Sequence, residues 1–312
     1  MEAKGNKPRV LVIRGGAIGD FILTMPALRL IRETLAGCEV EVLGYPGIAE
    51  LAVKAGLADT VRSLEHRSMA LLFAKGAALD PALVEYLLSF NVVVSYLFDP
   101  DGILRGQLEG IGVKTLLECP HSVRPGQGHA AQQLARPLEK LAMYLDEPNW
   151  RAPLLGEAKP EASGIGGRRI ALHVGSGSVK KNWPVEHWRQ VVAALREEHP
   201  AAEVMLITGE AEKERGVDVA GFEAAEHWQA LPLPELADRL RGCDLFLGHD
   251  SGISHLAATC GLPCLLLFGP TDPALWAPPQ TGVQVLQAEE GDWEMLTPEE
   301  VIAAVMNALS QG

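Results

Sequence analysis

Asp20 closes the turn Arg14-Gly15-Gly16-Ala17-Ile18-Gly19-Asp20, which joins an apolar run to an amphipathic one. A carboxylate there either caps the following helix or takes a proton from a substrate hydroxyl. Gly15 and Gly16 let backbone come close to a ligand. The turn is not a dinucleotide fingerprint. G-x-G-x-x-G would need glycine at 14, and the next strand ends Leu43-Gly44-Tyr45 with no acid for a ribose hydroxyl. A second cluster, His173-Val174-Gly175-Ser176-Gly177-Ser178, runs into Val179-Lys180-Lys181-Asn182-Trp183-Pro184. A Gly/Ser turn exposes N–H groups, and a lysine behind it meets an anion as a point charge. Trp183 reads as a packing anchor.

A third cluster, Gly248-His249-Asp250-Ser251-Gly252-Ile253-Ser254-His255, is a strand end opening a helix. The free N–H groups and partial positive charge of a helix N-terminus form an anion site. Asp250 is a turn cap or a ligand-facing acid. His249 and His255 have no third partner, so no metal is expected. In the fourth, Gly209-Glu210-Ala211-Glu212-Lys213-Glu214-Arg215, either Glu210 or Glu212 can accept hydrogen bonds from ribose hydroxyls. The alternative is an acidic helix start that suits the dipole.

The segments carrying these clusters alternate between strand and helix. Arg9 to Arg14, Val40 to Leu43, Thr60 to Leu64 and Val92 to Leu97 read as strands. Helical spacing covers Asp20 to Ala36, Ile48 to Ala55, Ala82 to Phe90 and Gln132 to Leu145. The stretch 158–167, rich in Pro, Ser and Gly, reads as a linker. Alternation then restarts: strands at 169–174, 204–208, 244–248 and 264–268, helices at 184–198, 233–241 and 251–260. A closing helix follows Thr297-Pro298-Glu299-Glu300, which has the N-cap and first-turn residues of a helix start. The expectation is α/β: two Rossmann-like domains, 1–157 and 168–312, facing across a cleft with ligands at strand C-termini.

Charge narrows the partners. Residues 1–160 hold 17 basic and 18 acidic side chains; residues 161–312 hold 10 and 22. So acidic a second half argues against nucleic acid, and any phosphate there must be held by a few fixed donors. No apolar run is long enough to span a bilayer, and Met1 to Arg9 lacks the apolar core of a signal peptide. Five cysteines (38, 119, 243, 260, 264) without a C-x-x-C pair suit buried thiols in a reducing cytoplasm.

Taken in order, the motifs resemble glycosyltransferase family 9, the ADP-heptose:lipopolysaccharide heptosyltransferases. The resemblance is carried by Gly19-Asp20 with Thr24-Met25-Pro26-Ala27-Leu28, by Lys181-Asn182-Trp183-Pro184, by Asp250 to Ala257, and by Gly269-Pro270-Thr271-Asp272-Pro273. Residues 65–130 match only loosely. Ser251 stands where many relatives have Thr, and Gly15-Gly16-Ala17 where many carry a hydroxyl.

The resemblance implies a glycosyltransferase-B architecture, with the acceptor on the first domain, the nucleotide sugar on the second, and the last helix, 298–310, returning to the first. It implies a metal-independent inverting transfer that uses no cofactor. Asp20 would be the base. Lys181, with the N–H groups of Ser251 and Gly252, would stabilise the leaving diphosphate. Gly175, Ser176, Ser178, Asp250 and His255 complete the expected donor site, with Glu210 or Glu212 on the ribose. An anionic glycolipid acceptor at the inner membrane face needs a local basic patch. Gly15, Gly16, Arg62, Arg67, Arg105 and Arg124 are the candidates for that site. The same chemistry with another nucleotide sugar or a glycan or protein acceptor, and a non-catalytic sugar-nucleotide-binding protein, are the competing readings.

Overall fold

The computed structural model describes residues 7–147, 149–158, 167–217 and 219–311. The chain forms two units, Met1–Asp146 and Glu147–Gly312. The first contains β1 (Arg9–Arg14), α1 (Ile18–Thr34), β2 (Glu39–Gly44), α2 (Pro46–Lys54), β3 (Thr60–Ser63), α3 (Pro81–Leu88), β4 (Val92–Ser95), α4 (Ile103–Ile111), β5 (Leu116–Glu118) and α5 (Ala130–Ala135). The second contains β6 (Arg169–His173), α6 (Val185–Glu198), β7 (Glu203–Thr208), α7 (Glu210–Glu214), β8 (Glu226–Gln229), α8 (Leu233–Arg241), β9 (Leu245–His249), α9 (Gly252–Thr259), β10 (Cys264–Phe268), α10 (Pro273–Trp276), β11 (Val283–Gln287) and α11 (Pro298–Gln311).

Both sheets are parallel throughout. The first has the order β3-β2-β1-β4-β5 and the second β11-β10-β9-β6-β7-β8. Strand order therefore reverses between β1 and β4, and again between β6 and β9. In open α/β sheets such a reversal parts the flanking loops and leaves a ligand crevice at the strand C-termini. The two-domain α/β expectation holds. Apolar β1, β9 and β10 are covered on both faces, as parallel central strands require, whereas β3 and β11 alternate at the edges.

Three expectations change. The proposed helix 132–145 stops at Ala135 and tightens into a 3-10 turn over Arg136–Leu141, because Pro137 has no N–H for a continued α-helix. The unit boundary lies at 146/147 rather than 157. Leu154 and Leu155 donate their N–H groups to the Thr259 carbonyl, which commits that segment to the second unit. The proposed linker falls mainly on 159–166, outside the described residues. The last helix is built into the core of the second unit: Val301, Val305 and Leu309 are buried with Trp183, Trp188 and Leu195.

All five cysteines are buried, and none is in a disulfide. Among the described residues, no helix is long and apolar enough to cross a membrane.

The boundary has a direct consequence. Trp150, Leu154 and Leu155 are buried, and losing a large buried side chain typically costs about 2–5 kcal/mol. A fragment starting at Glu147 should therefore melt higher than one starting at Ala158, as calorimetry would show. Equal melting temperatures would place the boundary where the sequence suggested.

Candidate active site

Asp20 is the third residue of α1. Its Oδ2 accepts the Ala17 N–H at 3.2 Å, so it caps the helix. Its side chain remains 41% exposed, with Oδ1 4.0 Å from the Arg14 guanidinium. The capping role is therefore realised, and it leaves the group accessible: one oxygen anchors the turn. Thr24 Oγ1 donates to the Asp20 carbonyl at 2.8 Å, holding the same turn from behind.

Arg14, which entered the sequence analysis only as a missing glycine, is 4% exposed. It donates to the carbonyls of Asp20, Tyr96 and His121 at 3.3 to 3.5 Å, joining the loops after β1, β4 and β5. Burial lowers its pKa, with the Asp20 charge acting in the opposite direction. Gly16 lies in the left-handed region at φ +102°, and a Cβ there would come 3.2 Å from Asp20 Oδ2; at Gly15 a Cβ would find only ordinary contacts from 3.5 Å.

The second unit places the other clusters together at its own reversal. Lys181 Nζ donates to Asp250 Oδ2 at 2.6 Å; Lys181 is 33% exposed and Asp250 only 7%. Ser251 caps α9, accepting the Ser254 N–H at 3.2 Å, with its hydroxyl 3.3 Å from His173 Nδ1. Gly252 and Ile253 open α9 and are partly exposed, leaving a helix N-terminus beside an ammonium group. That pairing suits an anion.

Several expected donor contacts are internal instead. The Ser176 hydroxyl is buried, bonded to the Ser178 carbonyl at 2.7 Å and to Asn182 Oδ1 at 2.5 Å. It shapes the turn. Ser178 is partly exposed and gives its N–H to Ser176 Oγ at 3.2 Å. Arg215, which sequence reasoning missed, clamps the Ser176 and Gly177 carbonyls at 2.7 and 2.8 Å. Gly175 is glycine for Glu212's sake, since a Cβ would lie 2.0 Å from Glu212 Oε1.

Glu212 is itself buried, 3.7 Å from His173 Nε2 and accepting the Gly209 N–H at 2.7 Å. Burial pushes its pKa up. The hydrogen bond and charge of His173, with backbone N–H groups, overcome that and hold it at about 2. Glu210 is the exposed acid of the pair. His255 is buried within α9.

His249 is fully buried, and its Nε2 accepts the Trp183 N–H at 2.8 Å and the Trp188 indole N–H at 3.1 Å. Burial, then the neighbouring His173, drive its pKa down to about 3. Its ring is a neutral structural acceptor.

The expected acceptor arginines separate. Arg62 lies inside β3, paired with buried Glu41 at 3.1 Å and stacked 4.2 Å over the Tyr86 ring, so it is structural. Arg105 on α4 pairs with Glu118 at 3.2 Å. Arg67 is exposed at the start of a 3-10 turn. Arg124 lines a cavity of about 510 Å³ with His121, Arg136 and Lys140, opening beyond the C-terminal end of β5. Arg136 and Lys140 gave no sequence signal, because they fall within the stretch 132–145 that reads as one continuous helix.

Two parallel α/β units, each carrying polar groups at its strand-order reversal, define a two-domain Rossmann-like protein. The family model "Glycosyltransferase family 9 (heptosyltransferase)" matches residues 130–301, and the chain belongs to that family, so it is a glycosyltransferase. It is 25% identical over 296 residues to lipopolysaccharide heptosyltransferase 1 of Escherichia coli strain K12, covering 86% of this chain and 89% of that protein. It is 27% identical over 301 residues to the Pseudomonas aeruginosa protein of the same name, covering 85% and 79%. The solved structure of E. coli heptosyltransferase WaaC with ADP shares the fold, with a TM-score of 0.70 at 18% identity over 96% of this chain and 99% of that one.

Two predictions follow from the geometry. Gly16→Ala should cost about 1–2 kcal/mol for a side chain forced into the left-handed region, whereas Gly15→Ala should stay within about 0.5 kcal/mol of wild type. Urea unfolding distinguishes them, and equal losses would contradict the described turn. The second concerns pH. Unfolded His249 takes up a proton near its ordinary 6.5, while the folded ring resists until about 3. Stability should therefore fall as pH drops through 6.5 toward 3, by about 1.4 kcal/mol per pH unit where only the unfolded state is protonated. His249→Gln, whose amide oxygen can accept the same two N–H groups, should flatten the melting-temperature profile between pH 6.5 and 4.5. An unchanged slope in that variant would assign the titration elsewhere.

Proposed function

We propose that this glycosyltransferase moves heptose from ADP-heptose to the inner core of lipopolysaccharide, with inversion at the anomeric carbon and without a metal ion. The observation that carries this reading is the ammonium of Lys181 beside the N-terminus of α9, at one strand-order reversal, with the accessible carboxylate of Asp20 at the other. The names of the relatives support the sugar and the acceptor. The reaction is assigned to the cytoplasmic face of the inner membrane, where the enzyme works as a peripheral protein on a lipid-anchored acceptor.

In this reading an acceptor hydroxyl oxygen forms a bond to the anomeric carbon as the bond from that carbon to the diphosphate oxygen breaks. The electron pair leaves with ADP. Asp20 receives the hydroxyl proton, which a bound acceptor brings within hydrogen-bond reach. Arg14 holds the Asp20 backbone still and stands with its guanidinium 4.0 Å from the carboxylate. The departing diphosphate gains charge against Lys181 and the open N–H groups of Gly252 and Ile253, doing the work a divalent cation does elsewhere. Before the donor arrives, Asp250 neutralises Lys181; phosphate oxygens then compete for the same ammonium protons. Glu210 is the acid assigned to the ribose hydroxyls. The cavity lined by Arg124, Arg136 and Lys140, with Glu118 and Glu139 also on its wall, offers three cations to the carboxylates and phosphates of an inner-core acceptor.

Asp20→Asn should leave ADP affinity unchanged while lowering kcat by about 10²–10⁴-fold, the usual contribution of a general base. Lys181→Ala should weaken ADP binding and slow transfer together, and a chelator should leave the wild-type rate unaltered. Near-normal turnover in Asp20→Asn would reduce that residue to a helix cap. A chelator-sensitive rate restored by added metal would overturn the metal-free mechanism.

A further inference from the structure

Trp293 lies in a one-turn 3-10 segment, Trp293–Met295, between β11 and α11, outside every motif that carried the family resemblance. Its indole Nε1 donates to the Lys180 carbonyl at 3.0 Å. That carbonyl belongs to the peptide group joining Lys180 to Lys181. The exchange is reciprocal: Trp183 Nε1, from the same lysine turn, donates to the Leu296 carbonyl at 3.0 Å. Two indole hydrogen bonds thus lace residues 180–183 to residues 293–296.

The lysine turn has a further anchor on its inner side, where the Trp183 N–H meets His249. The Trp293 ring stands edge-on to His249 at 5.9 Å between centroids. Space for it comes from Gly269, where a Cβ would lie 2.6 Å from Trp293 Cε2 and Cζ2. The glycine of Gly269-Pro270-Thr271-Asp272-Pro273 therefore serves a tryptophan more than twenty residues away in sequence.

We infer that Trp293 is a positioning residue for donor binding: through the Lys180 carbonyl it fixes the peptide from which Lys181 reaches the diphosphate of a nucleotide sugar. The inference rests on the reading above that Lys181 contacts that diphosphate. A four-carbon side chain carries a large rotamer entropy, so the placement of its backbone decides which anion positions the ammonium covers. Lys180–Lys181 sits in a single 3-10 turn, Val179–Lys181, exposed to solvent on one side. Without the indole N–H, the carbonyl of that turn loses its fixed partner on the side of β11.

The test is a double-mutant cycle on ADP affinity, measured by calorimetry with the full chain and ADP as the probe. Trp293→Phe keeps an aromatic ring and removes only the N–H donor. It should weaken ADP binding by roughly three- to tenfold, the scale of one lost hydrogen bond, with a melting temperature close to wild type. In a Lys181→Ala background the same substitution should have no further effect on ADP affinity. If Lys181→Ala weakens ADP binding but Trp293→Phe does not, Trp293 has no positioning role and the assignment of Lys181 stands. If Trp293→Phe costs the same in both backgrounds, its effect is general packing and the inference is overturned. If Lys181→Ala leaves ADP affinity intact, the assignment of Lys181 fails and this inference falls with it. Gly269→Ala is the second variant. It should reproduce the loss and again be silent without Lys181; a loss that persists in that background would contradict the route through Trp293.

Discussion

The uncharged ring of His249 is the point on which the second unit is built. A single nitrogen accepts hydrogen bonds from the Trp183 backbone and the Trp188 indole, which ties the end of β9 to the lysine turn and to α6. Ser254 Oγ donates to the His249 carbonyl, so the start of α9 is fixed to the same residue. A protonated imidazole has no lone pair to offer, and the arrangement exists only while the ring is neutral. Lys181 and the start of α9 are thus positioned by one buried acceptor.

The first unit solves a related problem with a charge. Arg14 is buried where three loops meet, and it bonds to three carbonyls while standing beside Asp20. A buried guanidinium is costly unless its protons are placed and a counter-charge is near. Asp20 supplies the counter-charge, and it stays partly open to solvent. The same contact that makes Arg14 tolerable also holds the carboxylate at the end of β1. The helix-capping bond uses one oxygen of Asp20 and leaves the side chain partly open.

Much of this was legible in the sequence because the central strands are continuous apolar runs and the functional turns follow them directly. β1, β6, β9 and β10 were found within a residue or so of their ends. β8 and β11 were missed because edge strands such as Glu226–Gln229 and Val283–Gln287 alternate with polar residues and look like loops. α4 was missed because Gly106 and Gly110 interrupt it; packing of Leu104 and Leu108 outweighs their poor propensity. At the candidate site, Asp20, Asp250 and Ser251 stood out by residue type and place in the chain, and Lys181 was set apart from Lys180 by the family motif. Arg14, Arg215 and Trp293 did not stand out, because each acts through a backbone carbonyl brought near by the fold. Nor could the sequence tell that His173 and a helix start hold Glu212 inside while Glu210 is exposed. Arg62 shows the reverse error: its charge was visible, its burial partner Glu41 was not.

The central claim is that the two polar constellations serve one transfer reaction with ADP as leaving group. Incubating the protein with ADP-heptose and a lipopolysaccharide acceptor lacking heptose, then following ADP by chromatography and the acceptor by mass spectrometry, tests it most directly. The account predicts one ADP released for each heptose residue gained by the acceptor, and no ADP release when the acceptor is omitted. ADP release without gain of mass, or no reaction with this donor while another nucleotide sugar is consumed, would contradict it.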